Sequence, residues 1–266
     1  SNQSDLDQTN LKRTSTLSET TLNYTKKLGS HDIGAVAGVE FQNFFIRGIS
    51  QAGTNLSPTN PINYSFLNPE DISTNLIEEN VSRRSVFGRI NYAYDNRYLA
   101  SVSIRRDGDS RFGSNNRFET FPAFSLGWNV HNEAFYNSNF LTDLKLRFSR
   151  GTLGTTSFLG SYDALRLLLP QNTVFGTGFL IPGNVPNEDL TWQTNTETNY
   201  GVSFGFLGNR FTLGVDYYSS DVEDMLINQS VSEVLGTASI VRNRGDVNSS
   251  GLEIELGANI INNADL

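Results

Sequence analysis

Hydrophobic and polar residues alternate with a period of two along most of the chain. One such stretch places Val86, Ile90 and Tyr94 on one side of an extended segment and Arg89 and Asn91 on the other. Alternation of this kind is typical of β-strands with one apolar and one polar face. It predicts nine strands, over residues 12–26, 32–45, 81–94, 97–108, 118–130, 143–150, 195–206, 210–219 and 249–262.

The connections between these strands alternate in length. Residues 27–31, 95–96 and 207–209 are short connections, and 131–142 is of medium length. An outer-membrane barrel has short periplasmic turns and long extracellular loops, whereas a Greek-key sandwich has no reason to place its long loops at one end. The pattern therefore favours an all-β fold, a segment of an antiparallel transmembrane β-barrel. The long loops, expected to be extracellular, are predicted over about 46–80, 151–194 and 220–248, with a shorter one over 109–117.

The composition of the 266 residues narrows the class of protein. No run approaches the roughly 20 apolar residues that a membrane-spanning helix needs, whereas barrel strands are apolar on one face only and average out as polar. The net charge of −8 argues against a nucleic-acid partner, which needs a basic surface. Cysteine is absent, so neither a disulfide framework nor a thiolate metal site is expected.

Charged residues occur within the predicted strands, on the face opposite the apolar one. In a wide barrel this face lines a wet lumen, and in a soluble β-sandwich it faces solvent, so alternation by itself leaves open a carbohydrate-binding sandwich module. Under the barrel hypothesis, six residues are predicted to face the lumen: Arg89, Arg105, Lys145, Arg147, Glu253 and Glu255.

Aromatic residues flank the short turns. Tyr92, Tyr94 and Tyr98 surround one turn, and Phe206 and Phe211 another. Aromatic girdles at the membrane interfaces give this arrangement, although cross-strand aromatic pairs stabilise any sheet.

Candidate chemistry is sparse. The Asp107–Gly113 segment is acidic and Gly-rich, but it lacks the spacing of a calcium loop and is interpreted as a hairpin loop with an aspartate bonding its own backbone. His31 and His131 are expected in exposed turns, without a metal. Glu253 and Glu255 could be paired carboxylates of a glycosidase, but an acidic lumen strand is the simpler interpretation. We therefore expect no enzyme activity, no metal and no cofactor.

The predicted long loops carry aromatic side chains that could stack on sugars, contact peptides or pack the loops together, and these alternatives stay open. As substrate-binding candidates the sequence offers Tyr64, Phe66, Tyr162, Phe175 and Trp192.

Several long motifs, taken together, resemble one known family. The segment 88–99 reads GRINYAYDNRYL and is followed by SIRRDGDSRFG at 103–113. Further matching segments are NRF at 116–118, FP at 121–122, SLGW at 125–128, LTDLKLR at 141–147, NEDLTWQ at 187–193, DYY at 216–218, and NRGDV at 243–247 with GLEI at 251–254. This series, from about Leu11 to the end, resembles the SusC/RagA family of TonB-dependent outer-membrane transporters of Bacteroidetes.

The resemblance implies a barrel of about 22 strands with a plugged lumen, of which this chain supplies nine. We expect the chain to lack the signal peptide, the plug, the TonB box and the final strands. The resemblance also implies location in the outer membrane, contact with its lipid, import of an oligosaccharide or peptide, a SusD-like lipoprotein partner, and energy from the TonB complex through an N-terminal part.

Overall fold

The computed structural model describes residues 4–57, 61–157, 159–171, 179–232 and 239–260. In these ranges the fold is all-β, with one large antiparallel sheet of nine strands. Strands of this sheet are neighbours in chain order, and two further pairs of short strands form hairpins outside it. The sheet strands are β1 (Ser4–Leu28), β2 (His31–Leu56), β3 (Ile72–Tyr94), β4 (Tyr98–Asp109), β5 (Phe118–Asn129), β6 (Leu141–Thr155), β9 (Gln193–Phe206), β10 (Phe211–Glu223) and β13 (Val247–Ala258). The hairpin strands are β7 (Leu168–Gln171), β8 (Phe179–Pro182), β11 (Leu226–Ser230) and β12 (Ser239–Asn243).

The nine sheet strands are the ones that the alternation predicts, but several extend further. β2 continues to Leu56 and β3 begins at Ile72, so the loop predicted over 46–80 is limited to the residues between these strands. The prediction ended both strands too early because apolar residues stop alternating there: Ile46 and Ile49 fall on opposite faces of β2, as Leu76 and Ile77 do on β3. Strand pairing depends on backbone hydrogen bonds and does not require an apolar face. The sequence missed the hairpin strands inside 151–194 and 220–248 because each has only four or five residues, too few for an alternation to be recognised.

The chain divides into two compact units, each described here by itself. The first consists of residues 1–18 and Phe41–Arg83. In it, a 3₁₀ turn (Tyr64–Phe66) lies between β2 and β3, and the Tyr64 hydroxyl is 2.7 Å from the Gln51 carbonyl oxygen and 3.1 Å from that of Leu6. The hydrogen bonds of the Tyr64 hydroxyl therefore link this turn to the backbones of β1 and β2.

The second unit consists of Glu19–Glu40 and Arg84–Leu266. Because neighbouring strands are antiparallel, its connections fall alternately at the two ends of the sheet. Residues 29–30, 95–97, 130–140 and 207–210 lie at one end, which we call the turn end. The connections from β4 to β5, from β6 to β9 and from β10 to β13 begin and end at the other end, which we call the loop end. A left-handed backbone at both Asp95 (φ 50°) and Asn96 (φ 51°) forms the tight β3–β4 turn.

Among the described residues of this unit, no second layer covers the apolar face of the sheet. Val102 is 61% exposed, Leu126 54% and Ile254 63%, although all three are apolar. A soluble β-sandwich buries such a face, so the sandwich alternative is wrong for this chain. Within the described ranges, no helix has the length and apolar character needed to cross a membrane.

Candidate functional site

The strand register of the second unit separates two chemically different faces. Val102, Phe124 and Leu146 exemplify the apolar face, and Ser103, Ser125 and Arg147 the polar face. Residues directly opposite one another on neighbouring strands share a face, so each face can be followed from β4 to β13. Of the six charged residues that the sequence placed on the polar side, Arg105, Lys145, Arg147, Glu253 and Glu255 lie on this polar face by register. Arg89 lines a recess on it together with Ser103 and Ser125.

An ion pair bridges two strands of the polar face. Arg147 of β6 donates from Nη2 to both carboxylate oxygens of Asp216 in β10, at 2.8 and 2.9 Å, and from Nη1 to the hydroxyl of Ser203 at 2.8 Å. Gly201 of β9 lies between the two partners in register. A Cβ atom there would collide with both side chains, so the glycine is what lets the bridge lie flat against the sheet.

A row of small polar residues runs beside this ion pair. Ser101, Ser125, Ser149 and Asn199 are direct cross-strand partners on β4, β5, β6 and β9. Together with the Arg147–Asp216 pair they line a recess of about 860 Å³. Its lining also includes larger side chains such as Leu99, Phe148 and Tyr218, so charged, small polar and apolar groups share the recess.

Arg105 lies further along the polar face and has several partners. Its guanidinium is 2.6 Å from Asp107, 2.8 Å from the Ser85 hydroxyl and 3.4 Å from Glu40. Glu40, on β2, thereby joins the set of polar-face residues, although the sequence gave no reason to select it.

At the loop end, a buried ion pair organises the segment that the sequence interpreted as a self-capped hairpin loop. Asp109 accepts from the backbone N–H of Arg111 at 3.0 Å and pairs with its guanidinium at 2.7 and 2.9 Å. Arg111 also donates to the carbonyl oxygen of Leu159 at 2.9 Å, and its Nη2 reaches the hydroxyl of Thr156. The self-capping prediction is confirmed. Through its hydrogen bonds to Leu159 and Thr156, Arg111 also links this loop to the connection that follows β6.

A hydrophobic cluster lies around that ion pair. Trp192 packs against Phe112 at 4.9 Å and Phe121 at 5.6 Å between ring centroids, and only 7% of its surface is exposed. Trp192 was a substrate-binding candidate, but its ring is buried between loops and not available to a ligand. The sequence missed Phe112, which is fully buried. The complete cluster is Phe112, Phe121, Leu159, Ala164, Leu190, Trp192 and Leu226, with Val241 packed against it.

The other aromatic candidates have different environments. Tyr64 is held by the backbone hydrogen bonds described above. Phe66 is 51% exposed. Tyr162 is half-buried, and its carbonyl oxygen accepts the N–H of Leu165 at 2.9 Å. Phe175 lies outside the described residues.

At the turn end, aromatic rings form a continuous row. The rings of Tyr94 and Tyr98 and those of Tyr98 and Trp128 are stacked with centroids 6.4 Å apart in each pair, and His31 lies 4.9 Å from Tyr94. Because Tyr98 and Trp128 are cross-strand partners on the apolar face, this row is the arrangement of an interfacial girdle.

A glutamate that the sequence did not single out connects two turns at this end. Glu133 is 3.2 Å from the Arg97 guanidinium and accepts from the indole N–H of Trp128 at 3.0 Å. Hydrogen bonds from the Tyr98 hydroxyl and from Trp128 hold the pKa of Glu133 below its ordinary value, because they stabilise the ionised carboxylate. The Asn129 amide adds a bond of 2.7 Å to the Asn96 carbonyl oxygen. We call Glu133, Arg97 and Trp128 the turn clasp.

The sequence predicted both histidines in exposed turns. His31 is exposed but is the first residue of β2, and His131 lies in the turn after β5 but is partly buried; both have partners. His31 Nδ1 is 2.8 Å from the Tyr92 hydroxyl, and His131 Nδ1 is 3.0 Å from an Asp143 carboxylate oxygen. Within the described ranges, no group of three or more His, Cys, Asp or Glu residues is arranged to hold a metal ion.

The sheet is antiparallel and has one apolar and one polar face. Aromatic rings line its turn end, and the loops at its other end pack against one another. These are the features of the wall of a transmembrane β-barrel. The family model described as "TonB dependent receptor-like, beta-barrel" matches residues 1–265. The chain therefore belongs to the β-barrel part of the TonB-dependent receptors, a family of outer-membrane receptors and transporters rather than enzymes.

Among curated proteins, the chain is 32% identical to TonB-dependent receptor P3 of Formosa agariphila, over 95% of this chain and 26% of that protein. It is 34% identical to TonB-dependent receptor SusC of Bacteroides thetaiotaomicron, over 88% of this chain and 24% of that protein. The chain thus spans about a quarter of the length of these relatives. A solved structure of the RagAB peptide transporter matches with a TM-score of 0.85 and 26% identity, over 98% of this chain and 29% of that one.

Proposed function

We propose that the chain is part of the barrel wall of a TonB-dependent importer that carries a bulky nutrient, an oligosaccharide or a peptide, across the outer membrane. The observation that carries the proposal is the register, which gathers the charged and hydroxyl side chains on one face and the apolar ones on the other. A wide barrel needs this separation, because one side of its wall contacts water and the other contacts lipid. The polar face, including all six predicted residues, then lines the lumen.

Relatives support the choice of cargo. One similar structure is that of a peptide transporter, and a similar curated protein is the receptor SusC. The peptide transporter gives a precedent for cargo larger than an ion. The chain itself performs no chemistry on the cargo under this proposal.

The partners follow from the same precedents. A SusD-like lipoprotein on the outer surface and the TonB complex, reached through an N-terminal part of the full-length protein, are the partners that we propose. The loop end is then extracellular and the turn end periplasmic, in a bacterium of the Bacteroidetes. Phe66 and Tyr162 remain candidates for cargo contact on the outer side.

Uptake by cells tests the proposal. A strain deleted for the full-length gene, and the same strain complemented, are incubated with a pool of neutral maltooligosaccharides and with a tryptic digest of casein. Mass spectrometry follows depletion of the medium. We expect the complemented strain to deplete members of one pool and a protonophore to stop this. Equal depletion by the deleted and complemented strains contradicts the proposal.

A further inference from the structure

Two arginines and a phenylalanine meet on the apolar face of the sheet, towards the loop end. Arg84 of β3, Arg106 of β4 and Phe118 of β5 line a recess of about 310 Å³, together with the neighbouring residues Ser85 and Val86. Both arginines are exposed, and Phe118 is 47% exposed. We call Arg84, Arg106 and Phe118 the arginine cluster.

Both arginines of the cluster lie on the apolar face. Arg106 follows Val102 by four residues on β4, so the two side chains leave the strand on the same side. Arg84 precedes Ser85, whose hydroxyl is 2.8 Å from the polar-face residue Arg105. Successive side chains of a strand point to opposite faces, which places Arg84 on the apolar side. The cluster thus interrupts a face that is otherwise apolar.

Strand geometry places the cluster at the outer edge of the apolar band. Phe118 is ten residues from Trp128 of the aromatic row along β5, and Arg106 is eight residues from Tyr98 along β4. At about 3.3 Å per residue and a tilt of about 40°, these separations correspond to about 25 and 20 Å of depth. The band is about 25 Å tall, so Phe118 lies at its far edge, and the long side chain of Arg106 extends towards the same level.

The Phe118 ring supports Arg106. The Cζ atom of Arg106 is 5.5 Å from the ring centroid, a cation–π contact. Gly108, the direct cross-strand partner of Phe118, lies under the ring, where a Cβ atom would collide with it. The glycine therefore lets the ring lie against β4 beside Arg106. A guanidinium stacked on a ring keeps the N–H donors at its rim available to an anion.

The protein supplies no carboxylate to Arg106 on its own face. The acidic residues of β4 and β5 all occupy polar-face positions, and these are Asp107, Asp109 and Glu119. Within the ranges that the structure describes, Arg106 forms no ion pair. The turn end differs, since Arg97 is there 2.6 Å from Asp95 and 3.2 Å from Glu133. At the loop end the counter-charge has to come from outside the described protein.

A complete barrel would leave the cluster on its outer surface. β4 has β3 and β5 as neighbours, and further strands can join this sheet only at its edges, β1 and β13. A plug would occupy the lumen, on the polar side of the wall. The apolar side faces lipid, so the anion nearest to the cluster is a lipid headgroup.

We propose that Arg84, Arg106 and Phe118 bind the phosphate of an anionic glycolipid in the outer leaflet of the membrane. The inference rests on the proposed function for the orientation of the wall, with the loop end outward. Arginine suits this ligand because its planar fork donates two hydrogen bonds to phosphate oxygens at once. A water molecule takes up about 30 Å³, so the recess of about 310 Å³ has room for a phosphate group between the two side chains.

Lipid titration of the purified full-length protein tests the site. The protein in detergent micelles is titrated with lipid A, the phosphorylated disaccharide lipid of the outer leaflet, with enzymatically dephosphorylated lipid A, and with phosphatidylglycerol. Native mass spectrometry measures the fraction of protein that carries a bound lipid. The test variant combines Arg84→Gln with Arg106→Gln. The matched control combines Arg89→Gln with Lys145→Gln, which removes the same charge from the polar face.

We expect the test variant to bind lipid A at least about tenfold more weakly than wild type, because charge-assisted hydrogen bonds are lost, and the control to stay within about twofold. Wild type should bind dephosphorylated lipid A as weakly as the test variant binds lipid A. Equal binding of lipid A by wild type and the test variant would overturn the proposal. Phosphatidylglycerol binding as tightly as lipid A would overturn the assignment to the outer-leaflet lipid.

Arginine footprinting of wild type tests the same site without a substitution that could impair folding. Phenylglyoxal modifies exposed guanidinium groups, and peptide mass spectrometry locates them. Lipid A should slow modification of Arg84 and Arg106 at least about fivefold and leave Arg89 unchanged, because a bound phosphate covers only the arginines that it contacts. Equal protection of all three, or of none, contradicts the site. Neither measurement involves uptake, so failure of import in cells is distinguishable from failure of this proposal.

Discussion

The two faces of β4 allow a sharp test with adjacent residues. Val102 is on the apolar face, four residues from the girdle residue Tyr98, and Ser101 is its neighbour on the polar face. Four residues advance about 13 Å along a strand, and a tilt of about 40° converts this to about 10 Å of depth. The apolar band of a barrel is about 25 Å tall, so Val102 lies close to the midplane. Val102→Arg should therefore cost about 2–4 kcal/mol of folding free energy, because arginine is expensive there.

Denaturant titration of the full-length protein in lipid bilayers, followed by tryptophan fluorescence, measures this cost. The expected loss corresponds to roughly a 30- to 700-fold fall in the folding equilibrium constant. Ser101→Arg is the matched control and should cost less than about 1 kcal/mol, because its side chain extends into water. Val102→Leu controls for size and should be nearly neutral. Equal costs for the two arginine variants would refute the assignment of faces.

Three further predictions concern the two ends of the sheet. Trp192→Ala should open the loop cluster, because the ring fills the space between loops, and limited proteolysis should cleave residues 156–191 faster, with Trp192→Phe closer to wild type. Asp109→Asn should lower the local stability of the loops by about 3–5 kcal/mol, since it leaves the buried Arg111 charge uncompensated, and hydrogen exchange of the loop amides measures this. Glu133 has a lowered pKa in the folded state, so its contribution is present above the unfolded pKa and is lost as pH falls through the folded pKa. The difference in unfolding midpoint between wild type and Glu133→Gln should shrink over that acidic range, and a difference independent of pH would contradict the turn clasp.

The loop end shows why the aromatic candidates could not be assigned from sequence. Trp192 and Phe66 are both aromatic residues in predicted long loops, yet one is buried and the other half-exposed. The difference arises because Phe112, far away in sequence, and Leu226, in a hairpin that the alternation does not reveal, meet Trp192 in space. Cross-loop packing of this kind has no periodic signal. In contrast, the Asp109 loop was predictable, because its hydrogen bonds join residues two apart in the chain.

The sequence by itself determined the presence of the nine sheet strands, their two faces and the alternation of short and long connections, although not the full length of every strand. These are local properties, since the side-chain period of a strand is two and turn residues act on their own backbone. Only the tertiary structure decided which polar residues meet. Arg147 and Asp216 are separated by 68 intervening residues and another strand, and their contact depends on the register and on the glycine between them. The alignment of Ser101, Ser125 and Ser149 likewise depends on register. A shift of one residue in β4, β5 or β6 would turn the serine of that strand toward the apolar side.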